Sequence, residues 1–128
     1  MFQRFINKIA VISGGANGIG KAIACRLGKE GATVILFDVN KALLKKTIKE
    51  FTDENILAKG YDIDISDEEQ LSKVIKKVIT TFHKIDIMVN CAGIVGPTST
   101  RITDYPTADF DKLYDVNLKG SFLITKLH

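Results

Sequence analysis

The chain has 128 residues, of which 45% are hydrophobic and 26% are charged, so its length suits one domain of ordinary size. It is too apolar for a disordered chain and, with two cysteines, too poor in cysteine for a disulfide scaffold. Eighteen basic and fifteen acidic residues leave a net charge of +3 without a dominant cluster, which argues against nucleic acid or a membrane as a partner. No signal peptide or membrane-length apolar run is present, so we expect a cytoplasmic protein whose Cys25 and Cys91 are reduced core residues.

Short apolar runs alternate with stretches of helical periodicity four times along the sequence. Ser66 and Glu69 have the spacing of a capping box before the third helical stretch. Because the strands are continuously apolar and separated by helices, we predict an α/β fold, a doubly wound parallel sheet with helices on both faces. Strands are predicted at 9–12, 33–37, 56–61 and 85–89, and helices at 19–27, 44–51, 71–82 and from about Ala108 to the chain end.

A glycine-rich turn with the pattern G-x-x-x-G-x-G joins the first predicted strand to the first helix. Glycines allow a sharp turn and let a pyrophosphate approach backbone N–H groups, while the following helix directs its positive end at that anion. The alternative is a turn that only connects two elements. The turn has the sequence Ser13-Gly14-Gly15-Ala16-Asn17-Gly18-Ile19-Gly20.

Asp38 ends the second predicted strand, 18 residues after Gly20, close to the spacing of about 20 expected for an acid that binds ribose. A carboxylate there accepts hydrogen bonds from the adenosine ribose and repels a 2′-phosphate. Val39 follows it, where an NADP-binding chain would often have arginine. This pattern predicts NAD in preference to NADP, although an aspartate at this point also suits the N-cap of the second helix.

Two further motifs extend the pattern, and together the four resemble the short-chain dehydrogenase/reductase family from about Lys8 to Phe122. The subgroup it resembles includes 3-oxoacyl-carrier-protein reductases and related 3-hydroxy or sugar dehydrogenases. Asp64-Ile65 is similar to the family's adenine-contacting pair, and Cys91 replaces the second asparagine of the family's N-N-A-G turn. The motifs in chain order are Gly14, Gly18 and Gly20, then Asp38, then Asp64-Ile65, then Asn90-Cys91-Ala92-Gly93.

The resemblance implies a Rossmann domain that binds NAD and transfers hydride between nicotinamide and a small alcohol or carbonyl substrate. It also implies that the full-length protein is a homo-oligomer, since the last helix packs in a dimer interface in relatives. In relatives the sheet order is 3-2-1-4-5-6-7. Since the 128 residues include only the first four strands, we expect the fourth strand to lie at an edge. The implied cofactor-binding residues are Ser13, Gly14, Asn17, Gly18, Ile19, Gly20, Asp38, Asp64, Ile65, Asn90, Ala92 and Gly93.

Asn117 matches the family's helix asparagine, which in relatives holds a water in the proton relay, so the resemblance makes it a candidate catalytic residue. It lies at helical spacing with Phe110, Leu113, Gly120 and Ile124, a stripe that we expect to be buried. A buried amide needs a hydrogen-bonding partner. A structural asparagine that bonds a neighbouring loop is the alternative.

The family's catalytic serine, tyrosine and lysine have no counterparts in the 128 residues. Tyr61, Tyr105 and Tyr114 are followed four residues later by isoleucine, aspartate and leucine, so no Tyr-x-x-x-Lys exists. The resemblance therefore implies that residues 1–128 form an incomplete, inactive Rossmann domain, marginally stable or self-associating. A non-catalytic dinucleotide-binding module is a further candidate, whereas the four motifs in series disfavour a sugar-nucleotide transferase.

Other chemistries find weaker support in the sequence. Neither histidine has acidic or cysteine companions at metal-ligand spacing, so we predict no metal site. Arg101 follows the fourth motif, where a substrate carboxylate or phosphate could bind, but a single exposed arginine is more often simply solvated. The lysines of the second helix are best explained as its solvated face.

Overall fold

Four parallel strands alternate with helices along the chain in the computed structural model, which describes residues 3–94 and 96–127. The strands are β1 (Ile9–Ser13), β2 (Thr33–Asp38), β3 (Ala58–Asp62) and β4 (Ile87–Asn90). The helices are α1 (Gly18–Lys29), α2 (Lys41–Asp53), α3 (Glu68–Phe82), α4 (Thr107–Leu113) and α5 (Gly120–Leu127). A 3-10 turn (Ile102–Asp104) precedes α4, and a π-helical segment (Tyr114–Lys119) joins α4 to α5.

The strand order is β3-β2-β1-β4, which confirms the predicted parallel α/β sheet and places β4 at an edge. Ile12 of β1 lies opposite Leu36 of β2 on one side and Val89 of β4 on the other. All five residues of β1 are buried, as expected for a central strand between two layers of helices. No helix among the described residues is long and apolar enough to cross a membrane.

Alternate residues of the central strands pack into two separate cores. Val11, Ile35 and Phe37 pack with α3 and α5 on one face of the sheet. Ile12 and Leu36 pack with α1 and α2 on the other face. The period-2 alternation of strand side chains divides a continuous apolar run between both faces, which is why the sequence shows no polar alternation.

The start of α3 differs from the predicted capping box. Asp67 is the N-cap, and its carboxylate accepts a hydrogen bond from the backbone N–H of Gln70 at 3.1 Å. Ser66, the predicted cap, instead donates its hydroxyl to Asp64 Oδ1 at 2.6 Å. The capping-box prediction based on Ser66 and Glu69 was therefore wrong by one residue, because aspartate is an equally good N-cap and Asp64 engages the serine.

The starts of two strands, the burial of the cysteines and the continuity of the last helix differ from the predictions. The third and fourth strands begin at Ala58 and Ile87, two residues later than predicted, since residues 56 and 85 pack in the cores before the strands pair. Cys25 and Cys91 are free thiols as predicted, but both are half-buried rather than core residues. The predicted last helix is interrupted by the π-helical segment, and its final residue, His128, lies outside the described residues.

Candidate functional site

An open cleft of about 570 Å³ lies where the carboxyl ends of β1, β2 and β4 meet the start of α1. This edge of a parallel sheet is where ligands bind in open α/β folds. The structure brings together ten of the residues predicted from sequence as its lining. These are Gly14, Asn17, Gly18, Ile19, Gly20, Asp38, Asp64, Ile65, Ala92 and Gly93.

The three motif glycines have different structural roles in the turn. A Cβ at Gly20 would lie 2.1 Å from the carbonyl oxygen of Gly14, so a side chain there would force the turn and α1 apart. Gly14 has a φ of +66°, and a Cβ there would lie 2.8 Å from the backbone of Cys91. Gly18 also has a positive φ, +57°, yet a Cβ there would meet nothing within 4 Å. Gly18 therefore leaves open space beside the cleft, while Gly14 and Gly20 allow close packing behind it.

The first turn of α1 is open at its amino end. Its N-cap, Asn17, has an extended backbone, and its side chain makes no capping hydrogen bond. The first amides of a helix need partners and carry its partial positive charge. Because the Asn17 side chain does not cap them, this helix end can accept an anion in the cleft.

Asp38 is held in place by two backbone N–H groups. Its Oδ2 accepts from Ala16 N in the glycine turn at 3.1 Å, and its Oδ1 accepts from Asn40 N at 3.1 Å. The N-cap of α2 is Asn40, whose side chain accepts from Leu43 N at 3.0 Å. The alternative that Asp38 caps α2 was therefore wrong. Its carboxylate is instead fastened to the turn and borders the cleft.

Ser13 and Asn90 lie behind the cleft rather than on its wall. The Ser13 hydroxyl is fully buried; it donates to Asn90 Oδ1 at 2.5 Å and accepts from the N–H groups of Cys91 and Ala92 at 3.1 and 3.3 Å. Asn90 donates its amide to Ser121 Oγ of α5 at 2.7 Å. These bonds fix the turn after β4 against β1, so both residues position the lining instead of forming it.

Asp64 and Ile65 follow β3 and form another wall of the cleft. Asp64 Oδ1 accepts hydrogen bonds from both the N–H and the hydroxyl of Ser66, at 2.9 and 2.6 Å. Ile65 is buried and packs against Gly120, where an added Cβ would lie 2.9 Å from its side chain. Gly120 thereby lets α5 approach this wall closely.

Asn117 is exposed, contrary to the predicted buried stripe. Phe110 of that stripe is also exposed, whereas Gly120 and Ile124 are buried. The π-helical segment between them widens the turn, so residues before and after it no longer share one face. Asn117 donates to the carbonyl of Ile94 at 2.9 Å and accepts from the Ile94 N–H at 2.8 Å. Asn117 therefore hydrogen-bonds the neighbouring loop, which agrees with the alternative of a structural asparagine.

Several contributors to the site were not identified from sequence. Thr47 of α2 is fully buried and donates its hydroxyl to the carbonyl of Ala16 at 2.7 Å, which fastens the glycine turn from below. Ile63, Lys112 and Val116 line the cleft. The spacing of four between Lys112 and Val116, immediately before Asn117, was a sequence signal for a helix face turned to the site. Nothing local marks Thr47, because its partner lies 31 residues away.

The loop after the turn contains the predicted candidate for anion binding, Arg101. Its guanidinium pairs with Asp104 at 3.2 Å, and its side chain is 87% exposed. This ion pair and the high exposure agree with the solvated interpretation of Arg101.

Comparisons with known proteins identify relatives of this chain. The family model for short chain dehydrogenases matches residues 8–128. The chain is 35% identical to a diacetyl reductase [(S)-acetoin forming] of Staphylococcus epidermidis over 116 residues, 91% of this chain and 44% of that protein. It is 35% identical to a 3-oxoacyl-[acyl-carrier-protein] reductase of Thermotoga maritima over 125 residues, 98% of this chain and 50% of that protein.

Two solved structures have the same architecture. An NAD+-bound xylitol dehydrogenase superposes with a TM-score of 0.92 at 31% identity, covering 97% of this chain and 47% of that one. An actinorhodin polyketide ketoreductase with NADPH gives a TM-score of 0.89 at 28% identity, covering 94% and 45%. The chain thus spans about half the length of the relatives that it matches. With a family model matched over residues 8–128, the chain belongs to the short-chain dehydrogenase family.

Proposed function

We propose that residues 1–128 form the N-terminal, NAD-binding part of an oxidoreductase that transfers hydride between nicotinamide and an alcohol or carbonyl substrate. The observation that carries this proposal is Asp38, whose carboxylate is fixed by Ala16 N and Asn40 N at the border of the glycine-lined cleft. A carboxylate held at the end of β2 suits the ribose of a dinucleotide.

The shape of the cleft fits a nicotinamide dinucleotide. Gly18 leaves open space at the turn, and the amino end of α1 is free to receive a pyrophosphate. Asp64 and Ile65 provide a polar and an apolar contact for an adenine ring, and Ala92 and Gly93 continue the wall beyond it. The bound cofactor would supply the hydride chemistry, while these residues would bind and orient it.

We favour NAD over NADP because of the charge at the end of β2. Among the relatives with solved structures, one holds NAD+ and another NADPH, so the choice rests on this chain's own residues. Asp38 places a negative charge where a 2′-phosphate would bring two more, and Val39 offers no compensating cation. Like-charge repulsion therefore disfavours NADP.

No Tyr-x-x-x-Lys occurs in the 128 residues, so we infer that this chain alone does not catalyse the reaction. Asn117 is proposed as a positioning residue in the intact enzyme. Its present bonds to Ile94 hold the loop beside the cleft. The alternative function is a non-catalytic dinucleotide-binding module, which would bind NADH equally well.

We also propose that the full-length protein is a homo-oligomer. Support comes from four apolar side chains on the last helices, which are 49–61% exposed at a spacing of four residues. Several large apolar side chains exposed close together in sequence are typical of an interface. The four residues, defined as the apolar stripe, are Phe110, Tyr114, Leu118 and Phe122.

The test is fluorescence titration of the 128-residue chain with NADH and NADPH. We expect saturable binding that favours NADH in the wild type. Asp38→Ala should weaken NADH binding about tenfold, since hydrogen bonds to a charged group contribute about 1.5–3 kcal/mol. Asp38→Asn keeps a hydrogen-bond acceptor but removes the negative charge. It should therefore reduce the difference in affinity between NADH and NADPH.

Asp62 provides a matched control, because it ends β3 in register with Asp38 and is exposed. Asp62→Ala should leave both affinities within twofold of the wild type. An unchanged preference for NADH in both Asp38 variants would remove Asp38 from the ribose role. A folded wild-type chain that binds neither dinucleotide would contradict the proposed function as a whole.

A further inference from the structure

Lys112 is the basic side chain on the wall of the cleft. Among the described residues that line it, no other lysine or arginine is present. Lys112 belongs to α4 and Val116, four residues later, lines the same cleft, so one face of this helical stretch is turned to the site. Lys112 also borders a smaller neighbouring cleft of about 370 Å³, which it shares with Ile94.

The charges around Lys112 leave its ammonium group available to a ligand. Asp38 and Asp64, the acidic residues lining the cleft, accept hydrogen bonds from groups near them in sequence or from the glycine turn. Within the described parts of the chain, no carboxylate lies within 4 Å of the Lys112 ammonium. The exposed side chain is thus free of an ion pair at the mouth of the cleft.

A dinucleotide would bring two negative charges on its pyrophosphate into a cleft that already holds two carboxylates. The helix end at α1 supplies only about half a positive charge, so the lining without Lys112 has an excess of negative charge. A flexible lysine with three donors can reach and neutralise such an anion without a fixed geometry. Building on the proposed function, we propose that Lys112 binds the pyrophosphate of the dinucleotide from the α4 wall of the cleft.

The experiment compares three probes that share an adenosine: NADH, ADP-ribose and adenosine itself. Each is titrated into the wild type, Lys112→Met and Lys112→Arg by fluorescence or calorimetry. We expect Lys112→Met to lower the affinity for NADH and for ADP-ribose about fivefold at low ionic strength. The affinity for adenosine should stay unchanged. The difference should shrink as salt rises, because the screening length falls from about 10 Å at 0.1 M to about 3 Å at 1 M. Lys112→Arg should retain affinity within twofold.

Lys119 offers a matched control for net charge, since it is exposed on the same helical stretch and does not line the cleft. Lys119→Met should leave all three affinities unchanged. The proposal is overturned if Lys112→Met binds ADP-ribose as tightly as the wild type does, or if its affinity for adenosine falls as much as its affinity for ADP-ribose. It is also overturned if Lys119→Met lowers the affinity for ADP-ribose as much as Lys112→Met does. In those cases NADH still binds the wild type and the proposed function stands. A folded wild type that binds neither NADH nor ADP-ribose would contradict both the proposed function and the role of Lys112.

Discussion

The two ends of the described chain differ in how fully they bury their apolar groups. β1 is buried along its whole length, and four of the six residues of β2 are buried. By contrast, β4 is half-buried to exposed and the apolar stripe on the last helices is open to solvent. The glycine-lined half, formed by β1, β2 and the turn, therefore buries its apolar groups within the chain, whereas the β4 half, formed by β4 and the last helices, leaves apolar groups exposed.

Polar groups follow the same division. Around the glycine turn, the buried hydroxyls of Ser13 and Thr47 donate to Asn90 and to the Ala16 carbonyl. Within the described residues, no buried side-chain nitrogen or oxygen lacks a partner. On the β4 side, the bonds from Asn117 to Ile94 and from Asn90 to Ser121 involve exposed groups. Bonds that exchange with water contribute less, so the turn is the more firmly determined half of the site.

Matched phenylalanine truncations test this division most strongly. Phe51→Ala removes a side chain that is 2% exposed in the core under α2, and we expect a loss of about 3–5 kcal/mol in the free energy of unfolding. Phe122 of the apolar stripe is 61% exposed, so Phe122→Ala should change stability by less than about 0.5 kcal/mol. Urea unfolding at fixed protein concentration measures both.

Sedimentation of the same proteins tests the apolar stripe as an interface. Phe122→Ala should reduce self-association relative to the wild type, while its stability as a monomer stays unchanged. A large loss of monomer stability in Phe122→Ala would mean that the stripe belongs to the core. A monomeric wild type with an ordinary stability of about 5 kcal/mol or more would contradict the expectation of marginal stability or self-association.

Two threonines of α2 allow a finer test of the glycine-lined half. Thr47→Val replaces a buried hydroxyl and leaves the Ala16 carbonyl without its donor, which should cost about 1–3 kcal/mol. Thr52 is exposed and donates to the Ile48 carbonyl of its own helix, so Thr52→Val should cost less than about 0.5 kcal/mol. The midpoints of urea unfolding measure the stability of both variants. In a separate titration, the affinity for NADH should fall only in Thr47→Val. Equal midpoints would show that the turn does not depend on Thr47.

The fold was predictable because its signals are local and repeated. Continuous apolar strands separated by helical periodicity specify a two-faced parallel sheet, and the strand order β3-β2-β1-β4 confirms it. The glycine turn and Asp38 were predictable as lining for the same reason: each lies at the carboxyl end of a strand. Parallel strands bring such positions to one edge of the sheet.

Features that depend on distant partners were not predictable in the same way. Whether Asp38 capped α2 depended on its neighbour Asn40, which is an equally good cap, and on the Ala16 N–H across the turn. The burial of Asn117 was predicted from an unbroken helix, but a π-helical segment changes its register. Propensity carries little information about a single widened turn, since the intrinsic preferences of its residues are weak.

Glu30 gives the fold a stability that depends on pH in the acid range. It is 1% exposed at the end of α1, and it pairs with Arg4 of the N-terminal segment and with Arg26 at 2.7 Å. The hydrogen bond from Arg4, followed by that from Arg26, lowers the pKa of the Glu30 carboxyl to about 2. A depressed carboxyl pKa stabilises the fold above the unfolded value, near 4.5, and the stabilisation is lost as pH falls toward 2.

Glu30→Gln should therefore be less stable than the wild type at pH 6, and the difference between their urea midpoints should shrink steadily between pH 4.5 and pH 2. Glu69→Gln is the control, because Glu69 pairs with Lys73 at 3.2 Å on the surface with its side chain 81% exposed. Exposed ion pairs contribute little, so its midpoint should follow the wild type at every pH. A constant gap between Glu30→Gln and the wild type would mean that Glu30 acts by packing rather than by charge.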